Sequence, residues 1–355
     1  MRVTRRKALV MAMAMTLATA EAATAAPEVY IPLGAANKVQ VIDAATNRTT
    51  GVIENLRNPH GLAITPDRRY LVAGSLTQAP AGSEDAPARP AGMSQAEHAK
   101  HHAMPAAPGA APVNDSYVSI VDAASLQIVR RIAVRGAVHH VAVSPDGRFA
   151  VTTQPGAGGI SVIDLDTFSV ARTIDTGPAP NYAAFAANAR KLYVSNAGDD
   201  TVSEIDVDSW AVKRRLATGR SPEHLVLSPD DSKLYVNNVA DGTVSVVPLV
   251  GDSATQTYRI GSAPHGIDLS DDGSTLFVSS QGDGELVAID VASGQARRVA
   301  LAPAPYHVSA VPGSGTVFVS SRDEKRIWVL DQSTLALRGE IAIDGIGHQM
   351  AVVAR

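Results

Sequence analysis

Pro222-Glu223-His224-Leu225-Val226-Leu227-Ser228-Pro229-Asp230 places a short apolar run between a Pro-x-His entry and a Ser-Pro-Asp turn, and the pattern recurs along the chain. It returns as Pro59-His60-Gly61-Leu62-Ala63-Ile64-Thr65-Pro66-Asp67 and as Val138-His139-His140-Val141-Ala142-Val143-Ser144-Pro145-Asp146-Gly147. Pro264-His265-Gly266-Ile267-Asp268-Leu269-Ser270 and Pro305-Tyr306-His307-Val308 fit the same frame, as do Pro180-Asn181-Tyr182 and Gly347-His348-Gln349. With the position of His60 as reference, the series runs 60, 139, 181, 223, 265, 306 and 348, in steps of 79, 42, 42, 42, 41 and 42. The long step is one period plus about 37 inserted residues.

Each period carries four strand-like runs. In the third repeat they are Tyr182–Ala186, Lys191–Ser195, Thr201–Asp206 and Val212–Thr218, rich in β-branched residues and separated by turn residues. Ser-Pro-Asp-Gly is a tight-turn signature, because Pro presets φ, Asp bonds back to the backbone and Gly tolerates positive φ. Four antiparallel strands repeated radially at this period make the blades of a β-propeller. The chain ends at Gly347-His348-Gln349-Met350-Ala351-Val352-Val353, a first strand alone; Val29–Ile31, Lys38–Asp43 and Thr49–Glu54 supply three more. The expectation is therefore an all-β, seven-bladed β-propeller closed by a blade shared between the N- and C-termini.

Leu192-Tyr193-Val194-Ser195-Asn196 followed by Thr201-Val202-Ser203-Glu204-Ile205-Asp206 resembles the YVTN-type β-propeller repeat, and so does Leu234-Tyr235-Val236-Asn237-Asn238 with Thr243-Val244-Ser245-Val246-Val247. The resemblance implies the fold. It leaves function open, because members of that family include binding proteins, cofactor carriers, lactonases and lyases.

Residues 1–26 read as an export signal. Arg2, Arg5, Arg6 and Lys7 precede an apolar Ala8–Ala20 core, and small residues follow. Thr4-Arg5-Arg6-Lys7-Ala8-Leu9-Val10 resembles a twin-arginine signal, departing from it at Ala8 and Val10. Residues 27–355 are then the propeller, residues 77–116 an Ala/Pro/Gly-rich flexible insertion within it, and the periplasm the expected compartment. No later run is long and apolar enough to span a bilayer.

Composition narrows the chemistry. The 355 residues hold no Cys, which excludes disulfides, thiolate metal sites and cysteine nucleophiles. Lys+Arg 31 against Asp+Glu 35 gives a net charge of −4, which argues against nucleic acid and acidic lipid as partners. No Gly-x-Ser-x-Gly elbow, phosphate loop or His-Glu-x-x-His helix is present.

The ten histidines fall into two groups. His60, His139, His140, His224, His265, His307 and His348 stand at the starts of innermost strands, toward one rim of the channel. His60, His139, His265 and His348 share one frame position and are the first candidate ligand set; His140, His224 and His307 occupy the next. Neighbouring strand residues point oppositely, so regular pleating would keep the two sets from both facing the axis. The other three, His98, His101 and His102, lie in the insertion beside Met93 and Met104, at spacings that place imidazoles on one helical face. Imidazoles and thioethers without thiolates favour copper, while imidazoles alone also suit iron, zinc or a haem. Glu223 and Tyr306 fill the reference position in two blades, and Asp268 replaces the Ala found at Ala63, Ala142 and Ala184. Asp67, Asp146, Asp230 and Asp271 read as turn residues.

Three readings stand at this point. The first is a periplasmic, monomeric propeller binding a transition metal, copper foremost, with a periplasmic protein or redox partner. Another is an interaction scaffold whose histidines are structural. The third is a propeller-type lyase or lactonase using His and Glu223 as acid and base.

Overall fold

The computed structural model describes residues 26–78, 114–251 and 253–353. Among these, twenty-eight strands form seven four-stranded antiparallel sheets, each a blade. Blade 1 is Pro59–Ile64, Tyr70–Ser75, Asp115–Asp122 and Gln127–Arg135, from the channel outward. Blade 2 is Val141–Val143, Phe149–Gln154, Gly159–Asp164 and Ser169–Asp175. Blade 3 begins at Pro180–Phe185, blade 4 at Pro222–Leu227, blade 5 at Pro264–Leu269 and blade 6 at Pro305–Val311. The seventh is shared: C-terminal Ala351–Val353 pairs with Glu28–Leu33, which pairs with Lys38–Asp43 and then Arg48–Ile53. The expected fold and closure are both present.

Blades cohere because strand alternation gives each sheet two apolar faces, and neighbouring faces interlock. Val151, Ile160 and Val162 of blade 2 pack on Leu192, Val194 and Ile205 of blade 3, all nearly solvent-free. Full burial of such a side chain stabilises by about 1.5–3 kcal/mol. Outermost strands reverse the pattern: Ser169–Asp175 is mostly exposed, and Lys213, Arg214 and Arg215 stud Ala211–Ala217. Charge there blunts an unpaired sheet edge.

The tight turns follow the sequence signature, Asp271 included, with one shift of the accepting carboxylate. Thr65 and Ser228 donate to Asp67 and Asp230 at 2.6 Å, as expected of turn carboxylates. In blade 5 the equivalent acceptor is Asp272, bonded by Ser270 at 2.6 Å, because Asp271 occupies the place of Pro145. Asp271 instead accepts the Gly313 N–H of the next blade at 2.6 Å.

No helix among the described residues is long and apolar enough to cross a membrane. Most of residues 1–26, and His98, His101, His102, Met93 and Met104, lie outside the described residues. The stems of the insertion are described. Ser75 pairs with Pro59, and the Ser116 hydroxyl donates to the Ser75 and Thr77 carbonyls at 2.7 and 2.9 Å. The insertion therefore leaves blade 1 on the face where the innermost strands begin.

Candidate functional site

A repeated backbone irregularity builds the site. In blade 1, Pro59 pairs with Ser75 and Leu62 with Ala73, so three steps of the inner strand oppose two of its partner. The same mismatch occurs at Pro180/Ala183, Pro222/Leu225, Pro264/Ile267 and Pro305/Val308. An extra residue breaks the alternation of side chains. Both frame positions of these blades then reach the channel, where the seven histidines meet despite occupying two registers.

They meet as a closed circuit of rings, all buried. Centroid distances run His348–His60 4.3 Å, His60–His139 4.7 Å, His139–His140 4.2 Å and His140–His224 4.5 Å. The circuit continues through His224–His265 at 4.3 Å, His265–Tyr306 at 4.1 Å and Tyr306–His307 at 4.3 Å. His307 faces His348 across 6.2 Å. Tyr182 sits against His140 at 4.8 Å and His224 at 4.7 Å. None of the seven is more than 8% exposed, so they plug the channel and do not ring an open rim.

Within this plug, His140, His224 and His307 bring one ligand atom each to within 4.8 Å of one another. These are the second frame position. His140 Nδ1 lies 2.9 Å from the Asn181 carbonyl. A carbonyl only accepts, so Nδ1 carries the proton and Nε2 carries the lone pair. That Nε2, like Nε2 of His307, is buried with no hydrogen-bond partner among the described residues. Burial, reinforced by neighbouring imidazoles, holds both side chains well below the usual histidine pKa and therefore neutral. Neutral imidazoles with an available ring nitrogen are metal ligands, and a backbone carbonyl on the other nitrogen is how such ligands are usually oriented. Among the described residues, these three form a group whose ligand atoms are close enough to hold a metal ion.

The first frame position makes contacts of its own. His60 Nδ1 donates to the His139 carbonyl at 2.7 Å, tying blade 1 to blade 2. His265 Nδ1 lies 3.3 Å from a carboxylate oxygen of Glu223, both buried. Two blades carry Gly at the second position, and each has its neighbour's backbone where a Cβ would stand: 2.7 Å from His140 Cα at Gly61 and 2.4 Å from the Tyr306 carbonyl at Gly266.

Gln349 fills that position in the shared blade, and its bonds emerge with the fold. Its Oε1 accepts the Leu62 and Val141 N–H groups at 3.1 and 3.2 Å, and its Nε2 donates to the Val141 carbonyl at 3.1 Å and the Tyr182 hydroxyl at 3.3 Å. Four blades are joined at one side chain. Alignment of the repeat already places Tyr182 and Gln349 level with His140, His224 and His307, and that was the available signal.

Beyond the plug the channel widens into a cavity of about 400 Å³. Its walls run from buried His224 and His307 to exposed Asp271 and Pro312, so it opens on the face of the first-to-second-strand turns. Asp268 lines it. Burial raises this carboxyl to about 6, against backbone N–H bonds from Leu269 and Ala310 that favour the charged form. Glu223 is not among the lining residues.

Residues 175–338 match the family described as YNCE-like beta-propeller, in agreement with the YVTN-type repeat and the seven blades. No curated protein matches. Among solved structures the chain is similar to Kuenenia stuttgartiensis hydrazine synthase, with a TM-score of 0.66 at 16% identity over 91% of this chain and 100% of that one. Similarity to the Pseudomonas aeruginosa periplasmic gluconolactonase PpgL has a TM-score of 0.70 at 19% identity, covering 92% and 99%. The dihydro-heme d1 dehydrogenase NirN, in complex with DHE, aligns with a TM-score of 0.63 at 15% identity, covering 89% and 63%. At these identities the likeness shows the fold alone.

Proposed function

We propose that this seven-bladed propeller is a periplasmic metal-binding protein holding a transition metal ion at His140, His224 and His307, with copper the first candidate. The observation that carries the reading is the approach of ligand atoms from three buried imidazoles to within 4.8 Å, two of these residues having an Nε2 with no partner among the described residues. An all-imidazole donor set suits copper, zinc, iron or nickel and disfavours magnesium or calcium. Copper is placed first by the Met- and His-rich insertion, whose stems leave on the face where the histidine strands begin. His60, His139, His265 and His348 would then orient the ligands and exclude water. Export through the Arg5-Arg6 segment would deliver the monomer to the periplasm, where a partner protein exchanges metal or electrons with it.

A specific observation favours one second reading. The His60–His139 and His140–Asn181 bonds stitch adjacent blades, which is what purely structural histidines in a scaffold would do. Elemental analysis of protein isolated from its native compartment separates the two. At about pH 7.5, free metal a hundredfold above the dissociation constant should add about 2.7 kcal/mol of stability. The variant His140→Gln/His224→Gln/His307→Gln should lose that gain, while His98→Ala/His101→Ala/His102→Ala should only weaken it. If the three channel substitutions leave the metal-induced rise in melting temperature intact, the scaffold reading replaces the metal reading.

A further inference from the structure

The cavity beyond the plug has its own chemistry in the metal-free chain. Its volume of about 400 Å³ is far more than a bare ion needs and lies within the range of small-molecule pockets. Much of the wall is aliphatic, including Val226, Ile267, Leu269 and Val352. Among the described residues, the charged groups in the wall are Asp268 and Asp271, and no Lys or Arg lines it.

Among the described residues, both carboxylates are held by backbone N–H groups. Asp268 Oδ1 accepts the Leu269 N–H at 2.8 Å and Oδ2 accepts the Ala310 N–H at 2.9 Å, while Asp271 accepts from Gly313 at 2.6 Å. Among the described residues neither forms a salt bridge, so their charge is uncompensated in a recess where water screens less than at an open surface. The inner end is lined by Tyr182 and by His307, a 3% exposed side chain whose Nε2 has no hydrogen-bond partner among the described residues. A built recess thus offers negative charge at its mouth and wall, aromatic rings and a ring nitrogen at its floor, and aliphatic surface between.

We propose that this chamber binds a small organic cation, a primary ammonium or quaternary ammonium carrying a short carbon chain, admitted through the face of the first-to-second-strand turns. A cationic head gains attraction from Asp268 and Asp271, with the aromatic residues Tyr182, His224 and His307 also in the lining. The carbon chain covers Val226, Ile267 and Leu269. An anion of equal size meets two carboxylates and no compensating cation, so it is rejected on charge with shape held constant.

Butylammonium, butanol and butyrate form the test set, because they keep the chain and change the head. Isothermal titration of the full chain, metal-free and at about pH 8 so that Asp268 is ionised, should rank them in that order. Butylammonium should bind at least about tenfold more tightly than butyrate, a discrimination that charge contacts in a recess support. Asp271→Asn, at the exposed mouth, should reduce the preference severalfold without perturbing the core, and Asp268→Asn should reduce it further. Butyrate binding as tightly as butylammonium, or a preference unchanged in Asp271→Asn, would overturn the proposal, as would no binding of any probe up to about 100 mM. Metal uptake measured on the same samples keeps the questions apart, since a chain that takes butylammonium and no metal fails only the metal-centre reading.

Discussion

His140 and His307 show how burial turns an ordinary side chain into a conditional one. An unfolded histidine titrates near pH 6.5, whereas burial holds both of these well below that value in the folded chain. Above pH 6.5 both states are neutral and contribute no pH dependence. Below it the unfolded chain takes up protons that the folded chain refuses, so stability falls as pH falls. The slope is about 1.4 kcal/mol per pH unit for each residue until its folded pKa is reached. Asp268 works the other way: raised to about 6, it keeps a proton that the unfolded chain has released, and so favours folding as pH drops from about 6 toward 4. Two groups oppose one, and the net direction is loss on acidification. Metal-free protein should therefore melt lower at pH 5.5 than at 7.5 in calorimetry. His307→Leu should flatten that dependence and Asp268→Asn steepen it; identical slopes in all three would remove the account.

At the level of the strand, the informative element is the Pro-x-x entry and its extra residue. The period, the four runs per repeat and the Ser-Pro-Asp turns were legible because alternation and turn chemistry are local properties of the chain. Thr201–Asp206 begins and ends where its β-branched pattern does, and Lys191–Asn196 runs one residue beyond. Pro180–Phe185 starts two residues before the apolar run because Pro180 still pairs with Asn196 across the bulge. The bulge itself was not legible, since it is a mismatch against a partner strand and leaves no mark in one strand's own pattern. For the same reason the histidines could be placed at strand starts, while the convergence of His140, His224 and His307 could not be chosen over that of His60, His139, His265 and His348. The cavity on the opposite face was equally hidden, because it is bounded by blades far apart in sequence. The glycines at this entry give the element its test. A Cβ at Gly266 would stand 2.4 Å from the Tyr306 carbonyl oxygen and 2.5 Å from the Val308 nitrogen, both backbone atoms that cannot swing aside. Gly266→Ala should therefore cost about 1–3 kcal/mol by overpacking. Gly339→Ala, with nothing within 4 Å of the added carbon, should be near neutral in the same denaturant titration. Equal effects from the two would mean that the inner strands are looser than this packing requires.

A propeller as a whole is only as strong as its seam. Here the seam is three residue pairs, Glu28 with Val353, Val29 with Val352 and Tyr30 with Ala351, plus one bridge from Leu33 to Gly347. Met350 and Val353 bury their side chains in two different inter-blade clusters, so the last strand fastens blades 6 and 1 through the shared blade. It also carries His348 into the ring circuit and Gln349 across the channel to Leu62, Val141 and Tyr182. Removing Gly347–Arg355 would strip the inner edge of Glu28–Leu33, expose apolar faces on both flanking blades and leave Val141 without its side-chain partner. An exposed edge with apolar flanks invites pairing with other chains. The truncated protein should aggregate or melt far below the full chain, and Gln349→Leu, which keeps the strand and loses the crosslink, should fall between them. Light scattering and calorimetry on the three proteins decide the matter. A truncation as stable and monodisperse as the full chain would mean that the ring does not depend on its seam, and that six blades hold the channel alone.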